Sequence, residues 1–274
     1  MRSLFRLVLL TVLLLSGCIG NGVEPHATIS HPDRANATIE YFVEHPKGSG
    51  PWPTIVFLHG HQEVTDHIGG QAFVNWGVLK HYANKGFLAV SVSLPGYGRS
   101  TGPADFAGPF TQHAVQAVLT KLKADRQAMP DKSLIQGVSL GAVTGALIAA
   151  KDKQVAGLVL VSGLYDLPAF FANPKNLAAQ MVKAAAVQQT GGSEEAFRSR
   201  SALPLAADIS AVTLILNGAK DDRTDASQAQ RFAAAINANG GRAVAHIYPE
   251  FGHEIPFKIR DAEVSAFIDA TLRQ

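Results

Sequence analysis

Gly137-Val138-Ser139-Leu140-Gly141 lies between a β-rich run, Ser133 to Val138, and a run of small residues, Ala142 to Ala150. The stretch fits G-x-S-x-G, and its flanks predict a strand, a sharp turn and a helix. A serine on such a turn needs strained backbone angles and close approach of strand to helix, which explains a glycine on each side. The turn lifts the Ser139 hydroxyl clear of a sheet. It also leaves the Leu140 N–H at a helix N-terminus, aimed at any oxygen that becomes negative nearby. A pattern this short also arises by chance or from tight packing alone, so the rest of the chain has to supply the partners of a nucleophilic serine.

Outward from this turn, apolar runs alternate with amphipathic stretches. Thr54–Leu58 is continuously apolar and ends at His59-Gly60; Phe87–Ser93, Ser133–Val138, Val155–Val161 and Thr213–Leu216 share its character. Continuous apolarity marks strands buried on both faces, hence a mostly parallel sheet. Thr38–Val43 and Val244–Tyr248 read as further strands. Helical spacing recurs at Val115, Val118, Leu119 and Leu122, at Ala229, Phe232, Ala233 and Ile236, and at Val264, Phe267, Ile268 and Leu272. The alternation predicts an α/β doubly wound sheet with helices on both faces and ligands bound beyond the carboxyl ends of the strands. One segment, Gly163 to Leu205, is longer than a crossover needs. It reads as a small helical cap insertion (163–205) over the strand ends, the alternative being a decorated connection packed on the flank.

The amino terminus does not read as part of this fold. Arg2 and Arg6 precede an apolar stretch, Leu7 to Leu15, too short to span a bilayer well, and Ser16-Gly17-Cys18 follows. Leu15-Ser16-Gly17-Cys18 resembles a bacterial lipobox. The resemblance implies a signal peptide over 1–17, cleavage before Cys18, lipid on that residue, and a tether over 18–30 before a domain at 31–274. Cys18 is the only cysteine, so no disulfide forms within the chain. Removing Arg2 and Arg6 leaves 22 basic side chains against 22 acidic ones. Such a balance offers no electrostatic surface for nucleic acid. With 47% hydrophobic and 17% charged residues the composition is that of a globular chain.

A serine hydroxyl attacks an acyl carbon only with a base, a group that orients the base, and donors for the oxyanion. His253, in Glu250-Phe251-Gly252-His253-Glu254, follows the Val244–Tyr248 strand and is the candidate base. Asp221 and its neighbour Asp222 follow the Thr213–Leu216 strand; one of them is the candidate orienting acid and the other a turn or cap residue. Asp225 reads as the N-cap of the next helix. The backbone N–H of His61, after His59-Gly60, is the candidate second oxyanion donor beside that of Leu140. His59, His61, Asp66 and His67 also suggest a metal cluster. Glu63 and Val64, however, stand where H-x-H-x-D-H spacing requires aspartate and histidine. Phe170, Phe171 and Met181 read either as lining of an acyl pocket or as cap core. Tyr97, Arg99 and Ser100 read as a structural turn, with a place at the pocket edge as the alternative.

The chain order Ser139, Asp221, His253 is that of the α/β-hydrolase fold. Phe57–Gly60, Leu94-Pro95-Gly96-Tyr97-Gly98-Arg99-Ser100, Gly137–Gly141, Leu216–Arg223 and Phe251–His253 together resemble that superfamily. The part from Arg200 to His253 is especially similar to the catalytic domain of prolyl-oligopeptidase and acylaminoacyl-peptidase relatives. There the triad aspartate sits three residues after the glycine, which on Gly218 implies Asp221 rather than Asp222. The chain departs from the pattern at Ser93 and Leu94, where aspartate is frequent, and at Asn217, where histidine is frequent. It also lacks room for the β-propeller those peptidases carry.

These readings lead to an expectation. The chain is a serine hydrolase of small acyl compounds, esters before amides, with an acyl-enzyme and no metal or organic cofactor. A small exopeptidase or amidase is the alternative enzyme, and a non-catalytic envelope lipoprotein that binds a ligand in the cleft is the alternative of another class. The lipobox resemblance implies attachment to a membrane of the bacterial envelope through lipid alone, on the periplasmic face, with the outer membrane weakly indicated by Ile19 after Cys18.

Overall fold

The computed structural model describes residues 26–62 and 67–273. The leader, Cys18 and the first part of the tether lie outside the described residues, as do Glu63, Val64 and Asp66. The apolar runs form one eight-stranded sheet: β1 (His26–His31), β2 (Arg34–Glu44), β3 (Trp52–Leu58), β4 (Leu88–Val92), β5 (Ala128–Val138), β6 (Val155–Val161), β7 (Val212–Gly218) and β8 (Ala243–Tyr248), in the spatial order β1-β2-β4-β3-β5-β6-β7-β8. The β1–β2 and β2–β4 pairs are antiparallel, and every pair from β4 to β8 is parallel.

Parallel pairing needs crossovers, and the helices supply them on both faces. On one side lie α1 (Gln71–Asn75), α2 (Val78–Asn84) and α9 (Phe257–Leu272). On the other lie α3 (Pro109–Ala124), α4 (Leu140–Lys151) and α8 (Ala226–Ala238). Successive strand residues feed the two cores in turn. Val56 and Leu58 of β3 face α3 and α4, while Ile55 and Phe57 face α1, α2 and α9; Leu158 and Leu160 of β6 alternate likewise with Val159 and Val161.

The sheet starts earlier than the sequence suggests. Residues 26–30, expected within the tether, form β1 together with His31 and pair with β2 so that Ile29 stands opposite Ile39. Histidines fix this polar strand. His31 Nε2–H donates to the Phe110 carbonyl at 2.9 Å while its Nδ1 accepts from Asp33 N–H, and its ring stacks on Phe110 at 3.6 Å.

The segment 163–205 forms three helices, α5 (Leu167–Ala172), α6 (Leu177–Thr190) and α7 (Glu194–Arg198), followed by a 3-10 helix at Leu203–Asp208. Arg200 ties the segment to the body by donating from Nε to the Asp105 carbonyl at 2.8 Å. Asp166, Asn176 and Ser193 cap the three helices through their side chains. Among the described residues no helix is long and apolar enough to cross a membrane.

Candidate active site

Ser139 joins β5 to α4 with φ 52° and ψ −114°, a conformation a side-chain-bearing residue adopts only when its surroundings impose it. They do impose it. A methyl group at Gly137 would strike the Gly141 carbonyl, and one at Gly141 would strike the Leu58 carbonyl of the adjacent strand. The glycines thus let α4 start against β3 and β5, and Ser139 N–H donates to the Val161 carbonyl at 2.8 Å. Leu140 opens α4, where the first N–H groups have no intrahelical acceptor. The loop after β3 runs close by: a Cβ at Gly60 would stand 3.2 Å from the Ser139 Cβ. The Gly60 loop and the first turn of α4 therefore border the space above the serine.

Asp221 and His253 meet across the ends of β7 and β8. His253 Nδ1 lies 3.0 Å from Asp221 Oδ2 and 3.1 Å from Oδ1. The carboxylate is wholly buried and the imidazole nearly so. Since a carboxylate only accepts, Nδ1 carries the hydrogen in this contact and Nε2 is left as the acceptor. Asp221 is saturated with donors. Oδ1 accepts from the Arg223 and Thr224 N–H groups at 2.9 Å, and Oδ2 from the Thr224 hydroxyl at 2.6 Å and the Asn217 amide at 3.1 Å. Burial alone would raise the Asp221 pKa, but the bonds from His253 and Thr224 and the charge of His253 outweigh it and hold the pKa below the ordinary 3.8. Ser162, itself at φ 53°, donates to the His253 carbonyl at 2.8 Å and fixes the histidine's backbone. Asp222, the rival aspartate, turns instead to the cavity wall.

The loop that carries His61 hangs on a neutral histidine. His59 Nε2 accepts from the Leu94 N–H at 3.0 Å, so its Nδ1–H donates to the Gly60 carbonyl at 2.7 Å. Burial pushes its pKa down to about 4. His61 Nδ1 bonds the Tyr97 hydroxyl at 2.8 Å. With His59 committed to the backbone, the metal reading loses a ligand. Asp66 lies outside the described residues, and among these no three histidine, cysteine, aspartate or glutamate side chains gather as a metal site.

Leu94–Ser100 is a structural turn held by a residue the sequence reading missed. Glu40, on β2 and 3% exposed in its side chain, accepts from the Ser93 hydroxyl at 2.7 Å, the Arg99 N–H at 2.9 Å and His26 Nε2 at 3.1 Å. It thus buries a carboxylate against the turn that follows β4. Its visible signal is a single acid inside the apolar run Thr38–Val43.

Ser139, His253, His61 and Leu140 all line one cavity of about 710 Å³. Its apolar wall comes from Phe106, Val143, Leu164 and, on the cap helix α6, Met181 and Val182; Trp76 stands at its edge, 70% exposed. Of the cap residues weighed in the sequence, Met181 lines the cavity. Phe171 instead packs against Phe197, with ring centroids 4.9 Å apart, and Phe170 is half-buried behind it.

The fold has many solved counterparts. The Pyrococcus horikoshii acylaminoacyl peptidase superposes with a TM-score of 0.72 at 16% identity, over 92% of this chain and 42% of its own. A puromycin-hydrolyzing peptidase of Mycobacterium tuberculosis gives 0.74 at 19% identity, over 91% and 39%. An esterase of Pyrococcus furiosus gives 0.67 at 15% identity, over 91% of both chains. The chain thus spans about two-fifths of the length of either peptidase. No curated protein matches it in sequence. Residues 110–273, which include Ser139, Asp221 and His253, match the prolyl oligopeptidase family. Since that match covers more than half of the 274 residues, this chain with the α/β-hydrolase fold belongs to the prolyl oligopeptidase family.

Proposed function

We propose that the protein is an esterase of small acyl compounds, working through Ser139, His253 and Asp221. One observation carries this reading: the strained Ser139 turn and the buried Asp221–His253 pair open onto the same cavity. As Ser139 Oγ bonds to the acyl carbon, its proton passes to His253 Nε2, and Asp221 steadies the imidazolium through Nδ1. The negative oxygen of the tetrahedral intermediate is held by the N–H groups of Leu140 and His61. Collapse breaks the carbon–oxygen bond to the leaving alcohol, which takes the proton from Nε2. Water then attacks the acyl-serine with the same base, releases the acid and restores Ser139.

Esters are preferred over amides on the lining. Apolar side chains of the body, Phe106 and Val143, and of the cap, Leu164, Met181 and Val182, line the cavity and suit an acyl chain. A small exopeptidase or amidase is the second reading, favoured by Asp222, Arg223 and Glu254 on the same cavity, charges of the kind that recognise a peptide end. Fluorophosphonate labelling tests the nucleophile: wild type labels and Ser139→Ala does not. Labelling that persists in Ser139→Ala refutes the assignment, and ligand binding without turnover, indifferent to that substitution, supports a binding protein instead. Turnover of an ester panel against aminoacyl and N-acyl-aminoacyl amides separates the two enzyme readings.

Export and lipid attachment at Cys18 are likewise proposed, on the order of basic, apolar and small residues before that cysteine. A diacylglyceryl mass on the amino-terminal peptide, lost in Cys18→Ala, is the expected result; an unmodified Cys18 in the exported protein refutes it.

A further inference from the structure

The catalytic cavity contains a cation that the proposed chemistry does not use. Arg260 lies in the first turn of α9 and lines the cavity together with Phe73, Trp76 and Ile255. It is 8% exposed. Its Nε donates to the Ile255 carbonyl at 3.2 Å, but its Nη1 is buried without a hydrogen-bond partner among the described residues. No carboxylate among those residues lies within ion-pair distance of it. Asp261 stands 3.2 Å from His81, and the exposed Glu254 stands 3.7 Å from Arg223.

This placement is costly in three ways. A guanidinium stays charged when buried, an unmatched buried donor forfeits its hydration, and a cation in the first turn opposes the helix dipole. Burial accordingly drives its pKa down from the ordinary guanidinium value. The guanidinium carbon lies 5.7 Å from the Phe257 ring centroid, a contact that offsets part of this cost but pairs none of its N–H donors.

We infer that Arg260 is a carboxylate-recognition subsite of the catalytic cavity, and that the substrate carries a carboxylate besides its scissile acyl bond. The inference rests on the hydrolase reading of the same cavity. A planar fork with an unmatched donor fits a carboxylate. Phosphate fits less well: Asp261 and Glu254 act on Arg260 from longer range and oppose a dianion. The apolar Phe73, Trp76 and Ile255 suit a methylene spacer between the two ends of such a substrate.

The test uses matched pairs that differ only in charge. On the acyl side, monomethyl esters of the dicarboxylic acids from glutaric to suberic are set against the corresponding methyl ester monoamides. On the leaving-group side, the butyryl ester of 3-hydroxybenzoate is set against that of 3-hydroxybenzamide. We expect wild type to prefer the carboxylate member of at least one pair by about tenfold or more in kcat/KM. In Arg260→Gln that ratio should collapse toward one, mainly through KM, with partial recovery in Arg260→Lys. A ratio is insensitive to a general loss of folded protein. Equal rates within every pair in wild type, or a preference that survives Arg260→Gln, overturns the inference. Binding of glutarate, adipate and suberate to Ser139→Ala, followed by calorimetry and by thermal shift, keeps this test apart from the esterase reading. If no ester of either kind is hydrolysed, the esterase reading fails. Dicarboxylate binding that is lost in Ser139→Ala/Arg260→Gln then still establishes the subsite, and no binding overturns it.

Discussion

Replacing Asp221 by asparagine tests the proposed relay with the least disturbance, because the structure shows how each neighbour will respond. Oδ1 faces two backbone N–H groups, of Arg223 and Thr224, which cannot reverse. Asparagine will therefore keep its oxygen there and place its NH2 where Oδ2 stood. The Thr224 hydroxyl can turn to accept from it. Asn217, whose Oδ1 is buried with no hydrogen-bond partner among the described residues, can flip its amide to do the same. His253 Nδ1, which lies 3.0 Å from Oδ2 and 3.1 Å from Oδ1, then faces a donor at the nearer position, and that favours the tautomer that accepts there. In that tautomer Nε2 becomes an N–H that cannot take the serine proton. The expected loss in kcat is on the order of 10⁴, or about 5.4 kcal/mol in activation free energy. The expected loss in stability is small, about 1–3 kcal/mol, since most partners find a new arrangement. The assay is p-nitrophenyl butyrate turnover, with urea unfolding as the control and Asp222→Asn as the comparison. A fall of less than tenfold in folded Asp221→Asn, or an equal fall in Asp222→Asn, refutes the reasoning. Acid stability gives a second readout. The native Asp221 pKa lies below its unfolded value of 3.8, so its contribution is complete above that pH and disappears as pH falls through the native value. Asp221→Asn should flatten the acid limb of the stability curve, and an unchanged limb counts against the depressed pKa.

Other consequences follow from the same geometry. His59 is neutral in the fold with a pKa of about 4 and titrates near 6.5 when unfolded, so stability should be full above 6.5 and decline toward pH 4 by about 3 kcal/mol; His59→Asn should reduce that slope in urea titrations at stepped pH. Glu40→Ala strips the acceptor from Ser93, Arg99 and His26 and should cost about 2–4 kcal/mol of unfolding free energy, while Glu40→Gln, which keeps one oxygen, should cost clearly less; equal losses would show that the carboxylate is not the anchor. Gly141→Ala forces a methyl group onto the Leu58 carbonyl and should lower Tm sharply and abolish labelling at Ser139, whereas a stable, reactive variant would contradict the packing of α4 on β3. Amide exchange should be much slower in α4, where eleven residues are buried, than in α6, where only Ala179 and Ala186 are; equal protection by mass spectrometry would contradict that difference.

The parallel strands were legible because each is buried on both faces and so is written as an unbroken apolar run; β3, β6 and β7 fall within two residues of their sequence limits. The Ser139 turn was legible because two backbone approaches exclude any side chain and leave glycine on both sides. The choice between Asp221 and Asp222 was not contained in their own residue type. It was contained in their surroundings: Thr224 three positions after Asp221 closes the turn that folds this carboxylate inward, and Asn217 waits at the end of β7. Strand β1 escaped notice because it alternates poorly and is held by ring stacking and by Glu40, partners distant in sequence. Glu40 and Arg260 escaped for a shared reason. An acid in a strand or an arginine in a helix is ordinarily a solvated residue, and only burial turns it into a fixed charge.

Burial also explains how one family can keep its chemistry and change its substrate. The reacting end of the cavity is built from polar groups with a single satisfied arrangement: a neutral His59 that bridges two loops, an Asp221 without spare acceptor capacity, and a Ser162 that holds the His253 carbonyl. Truncating any of them to alanine leaves a buried donor or acceptor unmatched, which costs more than most single packing changes. The cap side of the wall comes from α6, where Met181 is 57% exposed and only Ala179 and Ala186 are buried. Substitutions there trade apolar contacts of similar size and leave the relay intact. Arg260 belongs to neither set, since it is buried like the relay yet unmatched like a surface waiting for a partner. Asp261 and Glu254 act on that charge only from longer range, so variation at Arg260 should change which acyl compounds are accepted before it changes how they are cleaved.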